Sequence, residues 1–241
     1  MDASAGKRVY RDLQQHIDEL KARDLLYVVD EPVNKDTEMS ALVRWQFRGG
    51  LREDQRKAFL FTNPTDSKGR QYDIPVVIGA LAANQDIYAT GMDTTVDGIA
   101  AKWSHAIANP VPPRVVEDAP CHDVVIDGED LLAEDGGLVR LPVPLSTPGF
   151  DSTPTLAATN VITKNPDTGT QNMGTYRAGL KSSDRLVVRM ATRVGGAEGY
   201  MHWKTHKARG EKLPCAMVVG CPPYVAFMGP QKLPIGMEEL D

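Results

Sequence analysis

A proline-rich segment, NPVPPRVVEDAP at residues 109–120, divides the chain into two parts with different sequence patterns. The prolines at positions 110, 112 and 113 remove backbone donors and favour an extended chain, so neither a helix nor an inner strand is expected to continue through it. At 241 residues the chain is long enough for two domains. We therefore expect one domain at residues 1–109 and another at 121–241, with a joint at 110–120.

The first part alternates helical and strand-like patterns. Apolar residues at positions 13, 17 and 20 share one face of a predicted helix, and the run LLYVVD predicts a buried strand after it. A second helix is expected through SALVRWQF, capped by Asp36 or Thr37 and ended by a Gly-Gly pair. AFLFTNP and IPVVIGAL predict strands of a covered sheet, and Thr94 or Thr95 is expected to cap a further helix. This alternation predicts an α/β domain.

The second part is dominated by strand-like runs. These are HDVVIDG, LVRLPVP, TLAATNVITKN, TQNMGTYRAGL and RLVVRMA, and the sequence PDTG between two of them predicts a hairpin turn. A helix from His202 to Arg209 and a buried strand, CAMVVG, are expected to follow. The pattern predicts a β-rich, barrel-like domain with an embedded helix.

Composition and charge exclude several classes of function. A net charge of −5 gives no reason to expect nucleic acid or an anionic membrane as a partner. No apolar stretch is long enough to cross a bilayer, and the first twelve residues lack a signal-peptide core. The three cysteines form neither an even disulfide framework nor a CxxC pair. These features favour a cytoplasmic location.

The polar residues that could carry chemistry follow no common nucleotide or protease motif. GxGxxG after a strand, the Walker A loop, HExxH and GxSxG are all missing. Asn172 and Arg177 are five positions apart, which puts them on opposite faces of a regular strand unless a bulge or a strand end intervenes. His202 and His206 share one face of a predicted helix, a spacing that occurs in structural pairs as well as in metal sites.

In their order along the chain, these residues resemble the UbiD family of decarboxylases. The family has an Asn-x-x-x-x-Arg segment after a hairpin, a His-containing helix, a strand ending in Gly-x-Pro-Pro, and a Pro-x-Gly turn leading into Glu. Here they are matched by Asn172–Arg177, His202, residues 220–223 and residues 236–239. The resemblance implies an α/β domain followed by a flavin-binding, split-barrel-like domain that is incomplete at its C-terminal end.

The resemblance also implies a cofactor site built on prenylated FMN. Asn172, His202 and Glu239 would bind a divalent metal, usually Mn²⁺, that bridges to the flavin phosphate, and a one-residue slip would replace Glu239 by Glu238. The donor types suit that ion. A K⁺ ion would be held by backbone carbonyls within residues 227–233. The cofactor-binding residues implied are Asn172, Met173, Thr175, Arg177, Met201, His202 and Glu239.

Arg177 is the catalytic residue that the resemblance implies. Its guanidinium would grip the carboxylate of an aromatic or α,β-unsaturated acid in a bidentate fork. Family members continue past residue 241 and carry two catalytic glutamates there. The chain is therefore expected to be a fragment that forms a homo-oligomer at full length, a subunit completed by a partner chain, or an inactive relative.

Three functions remain open from the sequence. The leading hypothesis is reversible, non-oxidative decarboxylation with prenylated FMN, in which this chain carries the part of the site that anchors metal and phosphate. The second is a non-catalytic subunit or truncated scaffold of such an enzyme. The third is a flavin-binding oxidoreductase on a split barrel, which the β-rich second part would also allow.

Overall fold

The computed structural model describes residues 12–192, 197–233 and 237–241 of the chain. The helices are α1 (Leu13–Ala22), α2 (Met39–Arg48), α3 (Gln85–Gly91), α4 (Ile99–Ala108), α5 (Glu198–Ala208) and α6 (Pro223–Met228). The strands are β1 (Leu26–Val29), β2 (Val33–Asn34), β3 (Ala58–Phe61), β4 (Pro64–Thr65), β5 (Val76–Ile78), β6 (Thr155–Leu156), β7 (Thr159–Lys164), β8 (Gln171–Thr175), β9 (Arg177–Ser182), β10 (Arg185–Arg189) and β11 (Ala216–Val219).

The first part forms the expected mixed layer of helices and sheet. β1 pairs parallel to β3, β3 pairs antiparallel to β5, and β2 and β4 form a short parallel pair. α1 begins where the Asp12 side chain accepts the N–H of Gln15, and its apolar face packs on α3. Two buried clusters make up the core, one of Ile17, Leu20, Leu26, Ala58, Ala80, Ala83 and Ile87, the other of Val33, Met39, Val43 and Phe61.

One predicted helix start in this part is wrong, and another is confirmed in position. Asp36 and Thr37 do not cap α2, because their N–H groups bind the Asn34 side chain in a turn and the helix begins only after Glu38. Thr95 is the N-cap residue of a short 3-10 turn at residues 96–98 that leads directly into α4 at Ile99, although its side chain makes no capping hydrogen bond. The end of α2 at the Gly-Gly pair is as predicted, with Gly49 as its C-cap.

The segment after α4 contains neither of the two strands predicted for it. Residues 109–119 have no regular structure. HDVVIDG lies between 3-10 turns at 120–122 and 128–132, and LVRLPVP begins in a further 3-10 turn at 137–140 and continues without regular structure. Val124 and Val125 are 74% and 70% exposed, so their apolar pattern meets no neighbouring strand. Leu138 instead donates its N–H to the carbonyl of Ser183, which ties the segment to the β9–β10 hairpin.

The second part contains two separate antiparallel sheets. One has the order β11-β7-β8 and the other β10-β9-β6. The prediction of a β-rich second part is confirmed. The prediction that it is barrel-like is not, because the strands that the structure describes do not close into a barrel. The predicted PDTG hairpin joins β7 to β8, and Gly169 takes the positive φ that its turn requires.

The longest helix of the second part packs against one of these sheets. α5 contacts β7 and β8, and it begins at Glu198, four residues before the predicted start at His202. Helix α6, which the sequence did not predict, begins at the second proline of the Gly-x-Pro-Pro segment. None of the described helices is long and apolar enough to cross a membrane.

Candidate functional site

Asn172 and Arg177 lie on consecutive strands of different sheets. β8 ends at Thr175 and β9 begins at Arg177, so the strand end that their odd spacing requires is present. Tyr176 connects the two strands. Its N–H donates to the carbonyl of Thr159 at 3.3 Å, and its own carbonyl accepts the hydroxyl of Thr159. The first residue of β7 thus fixes the point at which the chain leaves one sheet and enters the other.

Asn172 and His202 come together around Thr163. Thr163 on β7 stands directly opposite Asn172 on β8, so their side chains share one face of the sheet. The Thr163 hydroxyl oxygen is 2.9 Å from Nδ1 of His202, which α5 places over that face. All three side chains are buried. Two of the three predicted metal ligands therefore lie in one buried polar cluster between α5 and the sheet.

Each of these two predicted ligands has a buried polar atom without a hydrogen-bond partner. Nδ2 of Asn172 and Nε2 of His202 are both in this state. Leaving one such atom unsatisfied costs about 1–3 kcal/mol, so most buried polar atoms are paired. A half-turn of the Asn172 amide exchanges its oxygen and nitrogen, which would present an oxygen at the same position. Burial lowers the pKa of His202, although the nearby Glu198 opposes this shift, so its surroundings favour the neutral ring.

The chain end brings two carboxylates to the same strand. Glu238 accepts the N–H of Gln171 at 2.9 Å and Glu239 accepts the N–H of Met173 at 2.8 Å. Among the strands that the structure describes, β8 is at the edge of its sheet, so these carboxylates satisfy N–H groups that no described strand reaches. The two contacts flank Asn172 on either side. Burial raises the pKa of Glu239, and Glu198 and Glu238 raise it further, while the Met173 N–H opposes the shift.

The residues present suit a divalent cation in type, although their side chains are not gathered as a complete set of ligands. Among the residues described, no three His, Cys, Asp or Glu side chains are grouped closely enough to hold a metal ion. The predicted ligand set has one histidine and one glutamate, and its third member is the amide of Asn172, so it does not form such a group. A carboxylate of Glu198 lies 3.7 Å from Nε2 of His202 and is a further acidic neighbour. Sequence reasoning missed Glu198, because it lies before the predicted start of the helix.

The remaining predicted cofactor residues have different surroundings. Met173 is buried, whereas Met201 is 42% exposed, so the expectation that Met201 contacts a cofactor stays a prediction. Trp203 is also exposed. His202 between them is buried, because its face of α5 packs on the sheet.

Thr175 belongs to a polar network at the end of β8. Its hydroxyl donates to the side-chain oxygen of Asn160 at 2.9 Å, and the Asn160 amide donates to the sulfur of Cys221 at 3.1 Å. The N–H of Thr175 also donates to the carbonyl of Gly229 at 3.0 Å, which connects β8 to the segment predicted to hold K⁺. The carbonyls of Phe227 and Met228 accept hydrogen bonds from Gln231, so the K⁺ site stays a prediction. Its neighbours at residues 234–236 lie outside the described residues.

Arg177 faces a second arginine that sequence reasoning missed. Arg177 on β9 and Arg189 on β10 are direct cross-strand partners, and both are exposed. Neither takes part in an ion pair within the described part of the chain. Two unpaired guanidinium groups on one strand face favour an anionic ligand.

A large apolar cavity lies between the two parts of the chain. It has a volume of about 740 Å³ and is lined by β5 and the loop after it, by residues 141–144, and by residues 155–159 and 219–221. Thr159 and Cys221 belong to its lining and also to the polar contacts around Tyr176 and Asn160. The cavity is therefore adjacent to the strand ends from which the site is built.

Comparison with protein-family models identifies both parts of the chain. The model of the 3-octaprenyl-4-hydroxybenzoate carboxy-lyase Rift-related domain matches residues 114–241, and that of the N-terminal domain of the same carboxy-lyase matches residues 17–107. The chain belongs to the UbiD family. The family resemblance inferred from the ordered motifs is thereby confirmed.

Solved structures of UbiD enzymes have the same fold. The UbiD-class enzyme HmfF from Pelotomaculum thermopropionicum, in complex with FMN, is 25% identical with a TM-score of 0.78, over 95% of this chain and 47% of that one. Vanillic acid decarboxylase from Sedimentibacter hydroxybenzoicus is 24% identical with a TM-score of 0.79, over 97% and 48%. The 3,4-dihydroxybenzoic acid decarboxylase of Enterobacter cloacae is 24% identical with a TM-score of 0.78, over 94% and 46%. The chain thus spans about half the length of these UbiD proteins.

Proposed function

We propose that this chain anchors the cofactor of a UbiD-type decarboxylase that acts on an aromatic or α,β-unsaturated carboxylic acid. The observation that carries the proposal is the pair of unsatisfied atoms on Asn172 and His202, which lie under α5 beside the strand that Glu239 contacts. Buried amide and imidazole groups without partners are costly to retain unless a ligand satisfies them.

Asn172, His202 and Glu239 would hold a divalent cation such as Mn²⁺ at this position, and the cation would bind the phosphate of prenylated FMN. With the Asn172 amide turned so that its oxygen takes the place of the unsatisfied nitrogen, a bound cation would satisfy that oxygen and the imidazole nitrogen of His202, and it would offset the Glu239 charge that burial disfavours. When bound, the prenylated flavin supplies the electron sink for the loss of carbon dioxide.

Arg177 would bind and orient the carboxylate of the substrate through two parallel N–H donors. Its exposure on β9 leaves those donors free to meet a ligand, and the facing Arg189 adds a second positive charge. The proton that replaces carbon dioxide would come from glutamates on a further segment or on a partner chain. This agrees with the span of the match, which is about half of HmfF. We also propose that residues 1–109 and 121–241 are separate domains joined at 110–120.

The second candidate function is that of a non-catalytic subunit, and the lack of an ion-pair partner for Arg177 favours it. No carboxylate pairs with Arg177 among the described residues, so the chain shows no acid beside its proposed catalytic cation. The two candidates share a fold and differ in whether this chain binds the cofactor.

Reconstitution of the purified chain with prenylated FMN and Mn²⁺ tests the proposal. We expect one flavin and one Mn²⁺ per chain by absorption and metal analysis, and loss of Mn²⁺ in Asn172→Leu and in His202→Ala. The matched control is His206→Ala, which removes an imidazole one turn further along α5. Flavin bound without Mn²⁺, together with nicotinamide oxidation, would instead support an oxidoreductase. A folded chain that binds neither would support the non-catalytic subunit.

A further inference from the structure

Thr163 occupies a position that links both candidate cation ligands. It is 1% exposed in the interior of β7, opposite Asn172, and its hydroxyl oxygen contacts Nδ1 of His202 at 2.9 Å. The hairpin register fixes this placement, because a shift of one residue would turn the hydroxyl to the other face of the sheet. No motif of the family resemblance includes Thr163.

The state of the His202 ring depends on this contact. A neutral imidazole carries a hydrogen on one nitrogen and a lone pair on the other, and a metal binds only the lone pair. A cation at Nε2 therefore requires the proton to be on Nδ1, which then needs an acceptor. Among the described residues, the hydrogen-bond partner of Nδ1 is the hydroxyl of Thr163.

The other nitrogen is open on the side where a cation would bind. Nε2 is buried and has no hydrogen-bond partner. The nearest carboxylate oxygen, on Glu198, is 3.7 Å away, which is too long for a hydrogen bond that would hold a proton on Nε2. Two ligand atoms that are each about 2.1 Å from one cation lie about 3.0–4.2 Å apart, depending on the angle between them. The 3.7 Å between Nε2 of His202 and the Glu198 oxygen falls within that range, so a cation at Nε2 fits beside this carboxylate.

We propose that Thr163 is a positioning residue that accepts the Nδ1–H of His202, and so directs the Nε2 lone pair of that ring to the bound cation. This inference rests on the cation site of the proposed function. The partner of a metal-bound imidazole orients the ring and fixes its tautomer, and losing such a partner typically weakens metal binding about 10–100-fold.

Three variants of the full chain test the proposal. Thr163→Val keeps the shape of the side chain and removes the acceptor, while Thr163→Ser keeps the hydroxyl. Thr62→Val is the matched control, since it removes a threonine hydroxyl that binds Val29 and Asp30 in the first part of the chain. We expect Thr163→Val to weaken Mn²⁺ binding about 10–100-fold in calorimetric titrations, with the serine variant and the control close to wild type.

The tautomer itself gives a readout that a purely structural role would not change. With Mg²⁺ as the diamagnetic ion, ¹⁵N spectra of the wild-type chain should show His202 with its proton on Nδ1. The inference fails if the proton is on Nε2, or if Thr163→Val binds Mn²⁺ as tightly as wild type. If either result is obtained with a wild-type chain that binds Mn²⁺, the inference is refuted and the proposed function stays intact. A folded wild-type chain that binds neither ion refutes both.

Discussion

Replacing Glu239 by glutamine separates the energetics of folding from those of cation binding. The variant keeps an oxygen that can accept the Met173 N–H, and it removes the charge. Burial and the neighbouring carboxylates raise the pKa of Glu239 in the folded chain. A group with a raised pKa stabilises the fold fully below its unfolded pKa and loses that contribution as pH rises through the folded pKa. At pH 7 the charged side chain therefore disfavours folding, so the melting temperature of cation-free Glu239→Gln should equal or exceed that of wild type.

The same substitution should remove about half or more of the stabilisation by Mn²⁺. At a Mn²⁺ concentration 100 times its dissociation constant, wild type gains about 2.7 kcal/mol, or about 5–11 °C for a chain of this size. Loss of a ligand should weaken binding by at least the roughly 10–100-fold that follows loss of a ligand's supporting partner. At the same Mn²⁺ concentration the gain then falls to about 0.4–1.4 kcal/mol. Thermal melts with and without Mn²⁺ measure both quantities.

Glu238→Gln is the matched control, because Glu238 makes the equivalent contact to Gln171 two residues away on β8. We expect this variant to keep the full Mn²⁺-dependent rise in melting temperature. If instead Glu238→Gln loses the rise and Glu239→Gln keeps it, the ligand is Glu238 and the family register is displaced by one residue. If both variants keep it, the chain end does not bind the cation and the reasoning is refuted.

Three further outcomes are expected. The pKa of Glu239 is raised from 4.5, so acidification should begin to weaken Mn²⁺ binding at a higher pH than for an ordinary glutamate. Titrations of Mn²⁺ binding from about pH 8 down to about pH 5 would show this loss, and a constant affinity would contradict it. Gly229→Ala should lower stability by about 1–3 kcal/mol in denaturant titrations, because its Cβ would lie 2.4 Å from the Asn160 side-chain oxygen; an unchanged midpoint would be inconsistent with that contact. Tyr176→Phe removes the hydroxyl that accepts the Gly199 N–H at the start of α5 at 3.3 Å and should cost about 0.5–1.5 kcal/mol, measured in the same way, and no cost would mean that water replaces the contact.

The sequence predicted correctly the elements whose caps and turn residues are local. It failed for elements whose structure depends on a neighbouring strand or on packing. α1 has a capping aspartate and an apolar stripe, and the β7–β8 hairpin has its own turn residues, so both were predicted correctly. HDVVIDG has the composition of a strand, but no neighbouring strand pairs with it, and its valines stay exposed. The early start of α5 was missed because the helix has no apolar stripe to mark it.

The candidate site shows the same division between local and tertiary information. Asn172, His202 and Glu239 were predicted from ordered motifs, and the structure brings Glu239 onto the strand that carries Asn172. Thr163 and Asn160 were not found, because in TLAATNVITKN they look like ordinary strand residues. Only the strand register and the packing of α5 give their side chains partners in the site.

The fold alone does not explain why Arg177 and Arg189 are cross-strand partners, and their pairing therefore points to a function. Like charges directly opposite each other on antiparallel strands are destabilising, and neither arginine has an ion-pair partner in the described residues. An irregularity at Arg185 and Leu186 shifts the register of the hairpin and thereby sets this pairing. A register displaced by one residue would turn one guanidinium to the opposite face. This arrangement supports the proposal that Arg177 binds the carboxylate of the substrate, with Arg189 as a second positive charge on the facing strand.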